Sequence, residues 1–335
     1  MHSLLSIFKT SRQIPKLMMV SALTVAHLVP SLADSDAMSS SNVNMGAIEC
    51  LRYLIELSRS YSDDDISPAE ILSASAFAMT NLWINALEPM LRKSGSMLSK
   101  GIERFETREN DAFSSKRLAP RRRGSAASQN EQEVECSVLI EEFTALSIIA
   151  AELGAGGDTN GNNLWPVRDM NVYYSFALTI ESICAVEYAQ PIAMREGVIK
   201  VLIQWLRSKD TELMLHSANA LRNLTSSRDN YMAGWIHSQI LNENALVHIV
   251  GRLESTDVRV RLAIAEVISS LTVAPHTRAA IIEARGVKYL VQLLGSVGEG
   301  THDEALALAS GNALLRLASG AAASSGGTRN ECVIE

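Results

Sequence analysis

Aromatic side chains are scarce. Phe, Trp and Tyr make up 5% of the 335 residues, while apolar residues as a whole reach 47%. An apolar content this high with so few rings implies a core of Ala, Leu, Ile and Val, which suits closely packed helices. The four cysteines, Cys50, Cys136, Cys184 and Cys332, are far apart and form no Cys-x-x-Cys pair. That spacing speaks against a disulfide framework or a zinc site, and Cys50 and Cys184 are expected to be buried reduced thiols. The seven histidines form no His-Glu-x-x-His motif, and there is no Gly-x-Ser-x-Gly elbow and no phosphate-binding glycine loop. No alternating strand pattern is long enough to build an α/β sheet. A catalytic residue, a metal and a cofactor are therefore all expected to be absent. The net charge of −7 argues against nucleic acid as a partner, because each phosphate contact needs a Lys or Arg.

Acidic residues are missing from residues 1–33; the first is Asp34. Lys9, Arg12 and Lys16 fall on one face of a helix, with Leu4, Leu5 and Phe8 largely away from it. An apolar run from Leu17 to Ala33 follows, interrupted by Ser21, Thr24, His27, Pro30 and Ser31. It falls short of the roughly 20 residues that span a bilayer. Residues 1–33 thus read as a targeting or anchor segment. A basic helix without acids suits a mitochondrial presequence, and Ser31-Leu32-Ala33 before Asp34 suits a secretory signal cleaved after Ala33. An uncleaved anchor, with membrane association through residues 17–33, is a third reading. An ordinary buried helix, in a protein of the cytoplasm or nucleus, is a fourth.

The positive signal is repetition. In Leu215 to Thr225, Ala218, Leu221 and Leu224 recur at helical spacing, widened by Ala220 and Leu215. Leu262 to Thr272 and Leu308 to Ala318 repeat the pattern, and Ser175 to Ile183 is a weaker copy. Aligning Ile183, Leu224, Leu271 and Leu317 gives steps of 41, 47 and 46 residues, within the range of armadillo and HEAT arrays. Between these helices a polar turn, a short helix and often a glycine precede an apolar helix. Examples are Gly197-Val198-Ile199-Lys200-Val201-Leu202 and Gly286-Val287-Lys288-Tyr289-Leu290. Each glycine is expected to take the sharp turn at the helix junction, with Asn244 in its place in the middle unit.

Gly-Val-x-x-Leu-Val-x-Leu-Leu at 286–294, together with endings such as Ala220-Leu221-Arg222-Asn223-Leu224, resembles the armadillo repeat family. A further copy runs from Gly46 to Leu57 and from Ala74 to Leu82. The resemblance implies an all-α, armadillo/HEAT-like right-handed α-solenoid of about four to five repeats with a disordered insertion. Its expected parts are N-terminal armadillo-like helices at 43–105, a basic polar linker at 106–132, a helix at 133–153, a flexible loop at 154–165, repeats at 171–319 and a disordered tail at 320–335. In that family an Asn near the end of the inner helix clamps the backbone of a bound peptide. The matching positions here are Asn81, Ser182, Asn223, Ser270 and Arg316. One turn earlier, where nuclear-import receptors carry Trp, stand Phe77, Leu178, Asn219, Glu266 and Asn312. The ladder that reads nuclear signals is thus missing. A mixed polar groove of Asn81, Asn219, Asn223, Glu266, Ser270, Asn312 and Arg316 replaces it.

The function implied is a non-catalytic scaffold that binds a protein or an extended peptide. The alternative is the armadillo-like regulatory portion of a lipase-type serine hydrolase whose catalytic domain is not in this chain. Ser125, after Arg122-Arg123-Gly124, resembles a phosphorylation site for a basophilic kinase. The last repeat offers no polar cap across Ala305 to Leu308, Leu314 and Leu317, so a partner, self-association or a longer natural chain is expected at that end.

Overall fold

The computed structural model describes residues 2–10, 15–32, 41–60, 68–89, 138, 140–148, 170–227, 230–295 and 301–326. Among them there is no strand. The linker at 106–132 with Ser125, the loop at 154–165 and residues 327–335 lie outside the described residues. The chain forms two compact units, Met1–Glu196 and Gly197–Glu335, and each is taken by itself.

The first unit contains α1 (His2–Thr10), α2 (Pro15–Leu32), α3 (Ser41–Ser60) and α4 (Pro68–Leu82), which continues as a π-helical turn, Trp83–Leu87. Then follow α5 (residues 140–148), α6 (Met170–Cys184) and α7 (Gln190–Arg195). The inner helix α4 packs on α2, α3 and α6. Its Thr80 hydroxyl reaches the Ser175 carbonyl and the Thr179 hydroxyl on α6, both at 2.9 Å. A fully buried Trp83 stacks on Phe143 of α5, ring centroids 5.4 Å apart. Ion pairs from Glu142 to Arg52 and from Glu141 to Arg195, the latter at 3.7 Å, tie α5 to α3 and α7. Cys50 and Cys184 are buried free thiols, and burial raises the Cys184 pKa far above its ordinary value.

The apolar segment 17–32 makes up all but the first two residues of α2, which packs on α3 and α4 through buried Met19, Ala22, Val25, Ala26 and Val29. In that position α2 serves as the inner helix of a further N-terminal repeat, with α1 resting on α2 and α3. An added Cβ on Gly46 of α3 would lie 2.7 Å from Leu5 Cδ1, so a side chain there would make Leu5 shift. No helix among the described residues is long and apolar enough to cross a membrane.

The second unit contains α8 (Val198–Leu206), α9 (Thr211–Thr225), α10 (Asn230–Asn242), α11 (Ala245–Gly251) with a 3-10 turn Arg252–Glu254, and α12 (Val258–Leu271). It ends with α13 (Pro275–Glu283), α14 (Gly286–Gly295) and α15 (Thr301–Gly326). The last helix therefore continues through 320–326, the start of the tail expected to be disordered. The sequence repeat reappears as repeated capping. Asp210 Oδ1 accepts from Leu213 N at 2.9 Å to start α9, and Asp257 Oδ1 accepts from Arg259 N at 2.7 Å to start α12. Ser208 and Ser255 hold the backbone of those two aspartates through their hydroxyls. Asp210→Ala is expected to lower stability by about 1 kcal/mol. The check is a urea unfolding midpoint; an unchanged midpoint would rule out a stabilising cap.

The turns before α8, α11 and α14 follow the expectation in two cases of three. Gly197 (φ 86°) and Asn244 (φ 51°) take the left-handed conformation. In the third unit Arg285 takes it instead (φ 63°), and Gly286 is the first residue of α14. Gly286 meets a different demand: a Cβ there would lie 2.6 Å from Ile281 Cγ2 and 3.0 Å from the Ile281 carbonyl oxygen. The glycine allows close approach of α13, and the strain of the turn falls on its neighbour.

Candidate peptide-binding face

The inner helices α9, α12 and α15 of the second unit lie side by side, α12 packing on both others. Each has a buried apolar stripe: Leu213, Ala220, Leu221 and Leu224 on α9, Val260, Val267, Ile268 and Leu271 on α12, and Leu306, Ala313 and Leu317 on α15. The remaining side of each helix carries the sequence-identified pairs, each one turn apart: Asn219 and Asn223, Glu266 and Ser270, Asn312 and Arg316. Asn219, Asn223, Glu266 and Ser270 are half-buried, while Asn312 and Arg316 are exposed.

Three cross-helix contacts fix the register of this face. Arg259 Nη2 on α12 meets Glu212 Oε1 on α9 at 2.7 Å, and Arg316 Nη1 on α15 donates to the Ser269 carbonyl of α12 at 2.7 Å; each pair is 47 residues apart. Arg222 Nη1 meets Glu266 Oε2 at 3.4 Å. Glu266 and Arg316, two of the expected groove residues, are therefore engaged within the protein. Arg316 places its charge at the carbonyl end of α12, where a cation complements the helix dipole. Arg222, Arg259 and Glu212, which sequence reasoning did not single out, set the electrostatics of the face. Their helix spacing was visible; their pairing needed the packing of α9 on α12.

Asn81 belongs to the first unit. Its Nδ2 donates to the Phe77 carbonyl at 2.9 Å and its Oδ1 accepts from Asn85 at 3.3 Å, so its amide is satisfied along its own helix. On the adjacent inner helices of that unit, the positions one turn before Asn81 and Ser182 hold Phe77, 58% exposed, and Leu178, 36% exposed. The inner side of the first unit is thus apolar where that of the second is polar. Ser125 lies outside the described residues.

Among the described residues no three His, Cys, Asp or Glu side chains converge as a metal site. The structure brings His237 of α10 to His276 of α13, ring centroids 6.3 Å apart. Burial lowers the His237 pKa from 6.5, with His276 adding to it; burial, then Arg207 and Arg252, lowers that of His248. Both groups bind fewer protons folded than unfolded, so their contribution to stability is complete above about pH 6.5. It is lost as pH falls below that value toward the folded-state pKa values. The melting temperature of the full chain is expected to drop between pH 7 and pH 5, and His237→Gln to flatten that dependence. Parallel profiles for the two proteins would show that His237 has no part in it.

The arrangement is that of an armadillo-type α-solenoid. No protein-family model matches the chain, and no curated protein matches its sequence. Solved structures share the fold. A designed armadillo repeat protein in complex with the peptide (KR)4 aligns over 94% of this chain and 98% of its own, at a TM-score of 0.51 and 12% identity. A computationally designed armadillo repeat protein for modular peptide recognition gives the same coverage, a TM-score of 0.51 and 13% identity. An engineered protein aligns over 96% of this chain and 98% of its own, at a TM-score of 0.52 and 16% identity.

Proposed function

We propose that the chain is a non-catalytic binding scaffold whose second unit holds an extended protein segment along α9, α12 and α15. The observation that carries the reading is the register of polar pairs on three adjacent inner helices, spaced as the repeats are spaced. The fold shared with designed armadillo proteins made for peptide recognition supports it. The peptide (KR)4 bound by one of those proteins is strongly basic. Here the carboxylates Glu212 and Glu266 are already paired with Arg259 and Arg222. The partner segment is therefore uncharged or mixed in sign, held through its backbone by the Asn219 and Asn223 amides.

The test is selection of binders from a display library of random extended peptides, followed by affinity measurement against Asn219→Ala/Asn223→Ala. Two lost amide hydrogen bonds at about 1 kcal/mol each predict a loss of roughly 10- to 30-fold. Ala is the better helix former, and circular dichroism and the melting temperature of the double variant check that the fold is kept. Equal affinity for the two proteins would remove α9 from the site. Arg316 is a poorer probe, because its bond to the Ser269 carbonyl couples it to the stability of α12.

Mitochondrial targeting through residues 1–33 is a separate proposal, supported by their lack of acids and by Lys9, Arg12 and Lys16. Imaging of the chain tagged at its C-terminus tests it; a diffuse signal would overturn it.

A further inference from the structure

We infer that the side of α14 and α15 turned away from the preceding repeat is the contact surface for a second copy of this chain, joined about a twofold axis. The comparison that shows the surface is internal to the second unit. Counted from the left-handed residue, Ile199, Ile203 and Leu206 of α8 are 2%, 7% and 0% exposed, and the corresponding Leu246, Val250 and Leu253 of α11 and its 3-10 turn are 4%, 1% and 2% exposed. The same register on α14 holds Val287, Val291 and Leu294, exposed by 37%, 53% and 39%. α8 is flanked by α11 of the following repeat, and the turn after α11 touches α14. Apart from α15 of its own repeat, no later helix among the described residues flanks α14.

α15, which packs on α14, repeats the contrast. Leu308 is 67% exposed and Leu315 is 70% exposed. Leu315 stands where the preceding inner helices carry Arg222 and Ser269, the residues that bond across to the next helix. The five exposed side chains thus continue the repeat-to-repeat interface onto a surface that no other described helix covers.

A second copy fits this end for three reasons. First, residues 305–315 of α15 contain no charged residue, so pairing the helix with its own image meets no like-charge repulsion. Second, Leu308 and Leu315 are one heptad apart and straddle Gly311 and Asn312, so the axis lies at the margin of the peptide face, beside Asn312. A twofold axis there, with the helices antiparallel, sets Leu308 of each copy against Leu315 of the other. A Cβ on Gly311 would meet nothing within 4 Å, so the space at the axis is open. Third, covering the five side chains on both copies removes on the order of 1,000 Å² of surface, where specific interfaces begin.

The experiment is sedimentation equilibrium of the full chain at tens of micromolar. The expected result is twice the chain mass, returning to the chain mass in Leu308→Glu/Leu315→Glu with its circular dichroism and melting temperature unchanged. Because that variant could be disturbed locally, a second measurement is independent of it. Leu308→Cys and Leu315→Cys chains are mixed, oxidised and mapped by mass spectrometry. A link from position 308 to position 315 is expected in the mixture, while neither variant alone links to itself at the new position. A chain that stays monomeric, or a dimer that survives the double glutamate variant, would overturn the inference. Asn219→Ala/Asn223→Ala should leave the mass unchanged, so failure of the peptide face and failure of this one are separable.

Discussion

Deleting residues 2–32 is expected to unfold the first unit. α1 and α2 contribute buried Leu5, Phe8, Met19, Ala22, Val25, Ala26 and Val29 to the core formed with α3 and α4. Burial of each larger side chain is worth about 1.5–3 kcal/mol. An upper estimate for the group is therefore on the order of 10 kcal/mol, against a net stability of about 5–15 kcal/mol for a typical domain. The deletion also exposes the apolar sides of α3 and α4, including Ile48, Leu51 and Ile71, which favours aggregation. Val25→Asp, an uncompensated carboxylate at a fully buried site, is the milder test and should cost several kcal/mol. Thermal denaturation followed by circular dichroism checks both. A truncated chain that melts within a degree or two of the full chain would show that α1 and α2 are dispensable. The same experiment bears on processing: cleavage after Ala33 would remove both helices, so N-terminal sequencing of the protein from cells states which form must be stable.

Trp83→Ala is expected to destabilise the first unit by about 3–5 kcal/mol, the usual cost of truncating a buried aromatic residue. Trp83 is fully buried in the π-helical turn that ends α4 and stacks on Phe143 across a separation of 5.4 Å. Its loss leaves a cavity and loosens α5, which also buries Ile140, Leu146 and Ile148 and makes ion pairs between partly exposed side chains. Such pairs contribute little, so apolar packing, with the ring contact the largest single part, holds α5. Trp83→Phe should recover much of the loss, because the indole N–H has no hydrogen-bond partner. Urea unfolding gives the number, and a cost under about 1 kcal/mol would mean that α5 is held by something other than this stack.

Inner helices α4, α6, α9, α12 and α15 were legible in the sequence because small and aliphatic residues recur on one side at a near-constant step. The caps at Asp210 and Asp257 recur with them. The role of α2 was not legible. Its run of apolar residues after Lys9, Arg12 and Lys16 has the composition of a targeting segment, and its packing on α3 and α4 depends on residues far along the chain that its own sequence does not show. The left-handed turn at Arg285 was hidden for a similar reason: Gly286 marks a tight place, but the sequence does not say whether conformation or contact makes it tight. In the groove, the positions of Asn219, Asn223, Glu266, Ser270, Asn312 and Arg316 followed from register alone. That Glu266 and Arg316 are already engaged did not, because their partners come from neighbouring helices.

The central claim is that a partner lies across α9, α12 and α15. The direct measurement is photo-crosslinking of a selected peptide to chains carrying a photoreactive residue in place of Asn219, Glu266 or Asn312, one at a time. A fourth chain carries it in place of the exposed Glu283 on α13. The expected result is crosslinking at all three inner-helix positions, stepping along the peptide from one helix to the next, and none at position 283. Crosslinking at position 283 with none at the three inner positions would contradict the claim.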